Sequence, residues 1–155
     1  MFNILKVFIV ILYIFVFMAD TVSKKRRSEI MRAVKGSNTK PELIVRRYLS
    51  SQGFKYRLND KKLPGKPDVK IVKYKCVIFI NGCFWHGHKN CRIYVMPKTN
   101  KAFWYTKIEN NKKRDIKNYR RLRKLGWRVI VLWECQLKAK KQEMSLQKLV
   151  NKILN

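Results

Sequence analysis

Acidic residues are scarce in this chain of 155 residues: 9 Asp+Glu stand against 37 Lys+Arg, a formal charge of +28. So few carboxylates cannot neutralise the surface through internal ion pairs, which excludes a cationic partner as its natural counterpart. Histidine occurs only twice, at positions 86 and 88, so any imidazole chemistry is confined to one short loop. No internal repeat is visible, which excludes a solenoid. Four cysteines would suggest two disulfides in a secreted protein, but three of them have histidines or aromatic turns nearby and Cys76 sits inside an apolar strand pattern. A reduced, intracellular metal site fits them better.

What is present in excess is positive charge interleaved with Trp, Tyr and Phe. That mixture favours a polyanion, nucleic acid first and an anionic membrane surface second, because aromatic rings stack on bases or wedge between them. The plain alternative is a solvated lysine-rich surface. Apolar residues make up 46% of the chain, enough for one compact core.

Phe2 to Phe17 is almost wholly apolar, broken by Asn3 and Lys6. Residues 1–17 are read as leader sequence placed before the natural start at Met18, with a membrane anchor or an export signal as alternatives. The domain that carries the chemistry is expected over residues 18–155.

Ser23 to Val34 has the pattern of a short amphipathic helix. Thr39-Lys40-Pro41-Glu42 reads as a capping box that opens a helix running to about Gly53. Phe54 to Leu58 is an expected edge strand, and Leu63-Pro64-Gly65-Lys66-Pro67 a rigid turn. Val69, Ile71 and Val72 begin a β pattern that turns near Tyr74. Cys76 to Ile80 is a continuous apolar run, as in a strand covered on both faces. A loop follows from Asn81 to Met96, then a basic helix over about Lys98 to Leu125, stopped by Gly126. Arg128 to Trp133 is a second buried strand. Leu146, Leu149, Val150, Ile153 and Leu154 form the stripe of a last helix. The class is α/β, a short mixed sheet flanked by helices.

Cys83-x4-His88-x2-Cys91 supplies three ligands of the kind zinc accepts, and a tetrahedral site needs a fourth from elsewhere in the fold. Cys135, just after the second buried strand, is the natural candidate; His86 in place of His88 and a free Cys135 thiol are the alternatives. Cys76 is read as an inert core thiol. Four protein ligands leave no open position, so such a zinc is structural and the chemistry lies beside it. Asp68 can bind Mg2+ together with a backbone carbonyl, expected from Ile80, since hard cations take oxygen ligands. His86 is placed to act as general base, imidazole ordinarily titrating near neutrality. Glu42 has two readings, a helix cap or an acidic group that orients water or His86.

Arg27-Ser-Glu-Ile-Met31-Arg-Ala-Val, Thr39-Lys-Pro-Glu42, Leu63-Pro-Gly-Lys-Pro-Asp68, Asn81-Gly-Cys-Phe-Trp-His86-Gly-His and Gly126-Trp-Arg-Val-Ile-Val-Leu-Trp-Glu-Cys135 occur in that order. Together they resemble the very short patch repair (Vsr) DNA mismatch endonucleases. The resemblance implies a restriction-endonuclease-like core and double-stranded DNA with a T:G mismatch, from deamination of 5-methylcytosine, as substrate. It also implies a nick 5′ to the mismatched thymine. By the same resemblance Asp68 is the magnesium carboxylate, Ile80 the carbonyl ligand, His86 the catalytic histidine and Glu42 its acidic partner. Cys83, His88, Cys91 and Cys135 match the ligands of a structural Zn2+. Phe84, Trp85 and Trp104 resemble an aromatic wedge beside the mismatch, and Met31 a residue that intercalates from the other groove; packing in the core is the alternative for all four. Lys112, Arg114, Arg120 and Arg121 are expected to contact phosphates.

Four features are departures. Asn81 stands where a second histidine is found, Ile80 where a threonine is usual, and the apolar leader is foreign. No Glu-x-Lys follows Asp68 in the manner of many nucleases. A monomer is expected, since one nick needs one site, in the bacterial cytoplasm near the nucleoid and with mismatch-repair and polymerase partners. The rival readings are a non-catalytic zinc-containing DNA-binding module and a membrane-anchored basic protein.

Overall fold

The computed structural model describes residues 23–33 and 36–155; the leader, the start at Met18 and the side chain of Met31 lie outside the described residues. Among the described residues no helix is long and apolar enough to cross a membrane.

A four-stranded sheet organises the fold, in the order β1 (Arg57–Leu58), β2 (Val69–Ile71), β3 (Cys76–Asn81), β4 (Arg128–Trp133). The first two pairings are antiparallel and β3–β4 is parallel, with Cys76 opposite Arg128 and Asn81 opposite Trp133. Helix α1 spans Lys24–Ala33, α2 Lys40–Ser51, α3 Lys101–Lys124 and α4 Ala139–Leu154. Helix α3 lies in the crossover between the parallel strands, the connection such a pair requires.

The apolar run in β3 is divided between two cores, since successive side chains point to opposite faces. Cys76 and Ile78 join Ile130 and Leu132 of β4 against Val45 and Leu49 of α2 and Leu146, Leu149 and Ile153 of α4. Val77 and Phe79 face the other way, with Leu122 and Tyr119 of α3 and Val129 and Val131 of β4. Ile108 and Leu122 are the buried residues of α3. In α4, Val150 is half-buried and Leu154 is 54% exposed, so the stripe is narrower than its sequence suggests.

Helix ends follow local chemistry. The N–H of Thr39 donates to Glu42 Oε1 at 3.4 Å and its hydroxyl donates to the same oxygen at 2.9 Å. Past α3, Gly126 has φ +77°, and the Trp127 N–H reaches back to the Leu122 carbonyl at 3.0 Å, a glycine-dependent helix stop. The edge strand is shorter than Phe54 to Leu58. The Phe54 N–H instead closes the end of α2 on the Leu49 carbonyl, its ring meets Tyr74 edge-on, and the Tyr56 hydroxyl bonds Arg46 and Ser50 of α2. The long basic helix begins at Lys101 rather than Lys98, after Asn100 at φ +49°.

Candidate active site and metal centre

The strands β2 and β3 bring Asp68 and Ile80 together. The Ile80 N–H donates to Asp68 Oδ2 at 2.7 Å, and the other carboxylate oxygen accepts no hydrogen bond from the described residues. Burial pushes the Asp68 carboxyl up to about 6; the Ile80 N–H opposes this, the Glu42 charge adds to it, and Arg46 and His86 oppose it in turn. A buried carboxylate with one oxygen free, next to the end of a strand, suits a hard divalent cation. Bound charge would offset the cost of burying the anion.

His86 lies in the loop that leaves β3. Its Nδ1 is 2.5 Å from Asp115 Oδ2, on the inner face of α3. The loop presses hard on that helix. Gly87 has φ +60°, and a Cβ there would stand 2.8 Å from Ile108 Cγ2. The Asn111 side chain donates to the Trp85 carbonyl at 2.9 Å. With Nδ1 held by the carboxylate and the His86 side chain 24% exposed, Nε2 is the ring nitrogen able to take a proton.

Glu42 takes the first of its two readings, the helix cap. Its carboxylate closes the cap of α2, accepts the Asn38 N–H at 3.1 Å and pairs with Arg46 at 2.6 Å, both side chains being under a tenth exposed. The Arg46 guanidinium also donates to Asn38 Oδ1 at 2.6 Å, while its Nε has no partner among the described residues. The hydrogen-bonded acidic partner of His86 is therefore Asp115, not Glu42, whose charge helps raise the Asp68 carboxyl. Asp115 and Arg46 escaped the reading of the sequence. The available signal for Asp115 was spacing: Ile108, Asp115 and Leu122 lie seven apart, so an acid stands at a core position of a basic helix.

On the α3 side of β3, Asn81 is 4% exposed and its side-chain N–H donates to the Tyr119 hydroxyl at 3.1 Å. Tyr119 packs on Phe79 with ring centroids 4.9 Å apart.

Beside this site Cys83, His88, Cys91 and Cys135 place their ligand atoms within 4.8 Å of one another. His88 Nδ1 is 3.5 Å from Cys83 Sγ and 3.4 Å from Cys135 Sγ. A tetrahedral zinc with ordinary bond lengths sets its sulfur and nitrogen ligands about 3.5 Å apart, so this donor set fits a metal of that kind. His88 stacks flat on Trp133, centroids 4.0 Å apart and planes within 2°. His86, pointing to Asp115, is not in the cluster. Cys76 is fully buried elsewhere, and burial pushes its thiol up to about 11.

The aromatic residues collect at one corner. Phe84 is 5.1 Å from Trp85 and 5.3 Å from Trp104, and the two indoles are 6.0 Å apart. Phe84 is buried in this cluster, whereas Trp85 and Trp104 are half-buried and Phe103, against Trp104, is 58% exposed. The basic residues divide as well. Arg120 and Arg121 line an open groove with Lys113, Lys117 and Lys124 on the outer face of α3. Arg114 is exposed beside Asp115. Lys112 turns inward, 2.5 Å from Glu109 and against Gly87.

Residues 19–92 match the family model described as DNA mismatch endonuclease Vsr. The type II nicking enzyme V.NmeAIP of Neisseria meningitidis is 50% identical over 79% of this chain and 87% of its own length. The type II nicking enzyme V.XorIIP of Xanthomonas oryzae is 45% identical over 77% of this chain and 88% of its own. The DNA mismatch endonuclease Vsr of Escherichia coli is 42% identical over 81% and 80%. The chain belongs to the Vsr DNA mismatch endonuclease family. Membership makes DNA the substrate class and strand cleavage the reaction class.

Proposed function

We propose that this chain is a Mg2+-dependent, zinc-stabilised endonuclease that nicks double-stranded DNA 5′ to the thymine of a T:G mismatch, starting very short patch repair. The domain is residues 18–155 on a restriction-endonuclease-like core, acting as a monomer in the bacterial cytoplasm. The observation that carries the reading is the juxtaposition, at the end of β3, of Asp68 bonded to Ile80 and His86 bonded to Asp115.

Asp68 and the Ile80 carbonyl would hold Mg2+, which when bound neutralises the scissile phosphate and the charge on the leaving oxygen. Asp115 fixes the His86 ring through Nδ1, so that Nε2 accepts a proton from the attacking water. The water oxygen bonds to phosphorus as the phosphorus–oxygen bond on the far side breaks. Glu42, locked by Arg46, keeps negative charge next to Asp68. Cys83, His88, Cys91 and Cys135 would hold Zn2+, which joins the catalytic loop to the end of β4. Trp85 and Trp104, with Phe84 behind them, supply the wedge. Unstacking costs a few kcal/mol and least at a mismatched pair, which gives the wobble pair an advantage. Met31 is assigned to the opposite groove. The outer face of α3 holds the phosphates.

The test uses the full chain, purified with zinc, mixed with Mg2+ and end-labelled duplexes carrying T:G in varied contexts or matched T:A. The reading requires a nick 5′ to the mismatched thymine that disappears with Asp68→Ala. Binding without cleavage in every context would instead make the chain a DNA-binding module.

A further inference from the structure

The pair formed by Asn81 and Tyr119 is unused by the reaction as described, yet it stands between the two halves of the site. Asn81 follows Ile80, whose N–H binds Asp68. Tyr119 follows Asp115 by one helical turn on the same face of α3. The hydroxyl that joins them is therefore bracketed by the carboxylate assigned to the metal and by the carboxylate that holds His86.

The hydrogen bond has a direction. The Asn81 amide N–H donates to the Tyr119 oxygen, and a tyrosine hydroxyl also has one proton of its own to give. No acceptor for that proton occurs among the described residues. Burial, together with the Asp115 and Asp68 charges and against the Asn81 hydrogen bond, pushes the hydroxyl up to about 12, so it keeps its proton across the working range. Phe79 packs against the ring and fixes where it points. Both carboxylates sit within electrostatic reach, and both attract a proton donor rather than another anion.

We propose that Tyr119 is a further catalytic residue, whose hydroxyl, oriented by Asn81, donates a hydrogen bond to a non-bridging oxygen of the scissile phosphodiester. This rests on the nicking reaction proposed above. Asn81 is then the positioning residue: its amide does not titrate, and it directs a second donor onto the phosphate where a histidine would carry a proton of its own. A preorganised donor gains strength as charge develops on the phosphoryl oxygens, so its effect falls on the rate and not on binding.

The experiment compares wild type, Tyr119→Phe and Asn81→Ala as full-length, zinc-loaded proteins with Mg2+, in single-turnover nicking of a T:G duplex. The scissile phosphate is either ordinary or carries sulfur at one or the other non-bridging oxygen. Tyr119→Phe keeps the ring on Phe79 and should lower the maximal rate about 10- to 100-fold, with DNA affinity and Tm within error of wild type. One sulfur diastereomer, strongly slowed in wild type, should lose most of that penalty in Tyr119→Phe, because the donor it weakens is already gone. Asn81→Ala should give a smaller rate loss in the same direction. An unchanged rate in Tyr119→Phe overturns the assignment, and so does a lowered rate with the sulfur penalty intact, which is the mark of a structural role. If wild type itself leaves the duplex uncut, it is the nicking reaction that fails, a different result.

Discussion

Asp115 Oδ2 and His86 Nδ1 meet at 2.5 Å across 29 residues of chain, from the middle of a basic helix to the loop that leaves β3. In the proposed reaction a carboxylate on Nδ1 selects the tautomer with Nε2 open and supports the imidazolium that would form when water gives up its proton. On that reading the pairing makes Asp115 a positioning residue. Asp115→Asn should reduce the single-turnover rate about 100-fold, within the range of general-base effects, and leave DNA affinity unchanged. Asp115→Glu should recover part of the loss. Equal rates for Asp115→Asn and wild type would remove His86 from the role of base or Asp115 from its support.

The fold was largely legible because its signals are local. The β3 run, the Thr39 to Glu42 cap and the Gly126 stop each depend on residues within a few positions. The Cys83, His88 and Cys91 spacing pointed to a metal-holding loop for the same reason, and Cys135 was the candidate fourth ligand from its place directly after a buried strand. Asp115, Arg46 and Tyr119 were not legible, since each meets its partners at the site only when a helix turns it inward. The basic face of α3 hid Asp115 further: one acid among lysines and arginines reads as a surface ion pair until its inward direction is known.

Burial of Asp68 has a consequence for stability. Its folded carboxyl lies at about 6 against an ordinary 3.8, so the folded state holds this proton more tightly than the unfolded state. Below the ordinary value the group costs nothing, and the cost grows as pH rises through about 6. Asp68→Asn, with its oxygen still able to accept the Ile80 N–H, should therefore be more stable than wild type at pH 7.5 without Mg2+, by on the order of 1–3 kcal/mol. The difference should vanish near pH 4. Thermal melts of the two proteins across that range are the measurement, and a wild type that is equally stable at pH 7.5 would contradict it.

The Cys/His cluster joins the loop that leaves β3 to the end of β4, with Cys83 and Cys135 each about 3.5 Å from His88 Nδ1. Cys135→Ser should lower bound zinc well below one per chain and lower Tm by roughly 10 °C, as a loss of about 4 kcal/mol does in a domain of this size. Cys76→Ser, changing a thiol buried away from the cluster, should leave the zinc content alone. Zinc retained in Cys135→Ser would mean that another group completes the site.

Salt dependence distinguishes the cations that the sequence had grouped together. Arg120 and Arg121 lie on the outer face of α3 with Lys113, Lys117 and Lys124, whereas Lys112 is 2.5 Å from Glu109 and packed over Gly87. Each phosphate contact releases about one counterion, so its loss reduces the slope of log affinity against log salt by about one. Arg120→Ala with Arg121→Ala should flatten the slope by about two and weaken matched and mismatched duplexes alike, since phosphate contacts carry no sequence information. Lys112→Ala should change the slope by less than either arginine alone, because Glu109 already neutralises its charge. Titrations of both variants at several salt concentrations decide the matter. A full unit of slope lost with Lys112→Ala would show that DNA pulls this lysine away from Glu109, and that the catalytic loop over Gly87 rearranges when substrate binds.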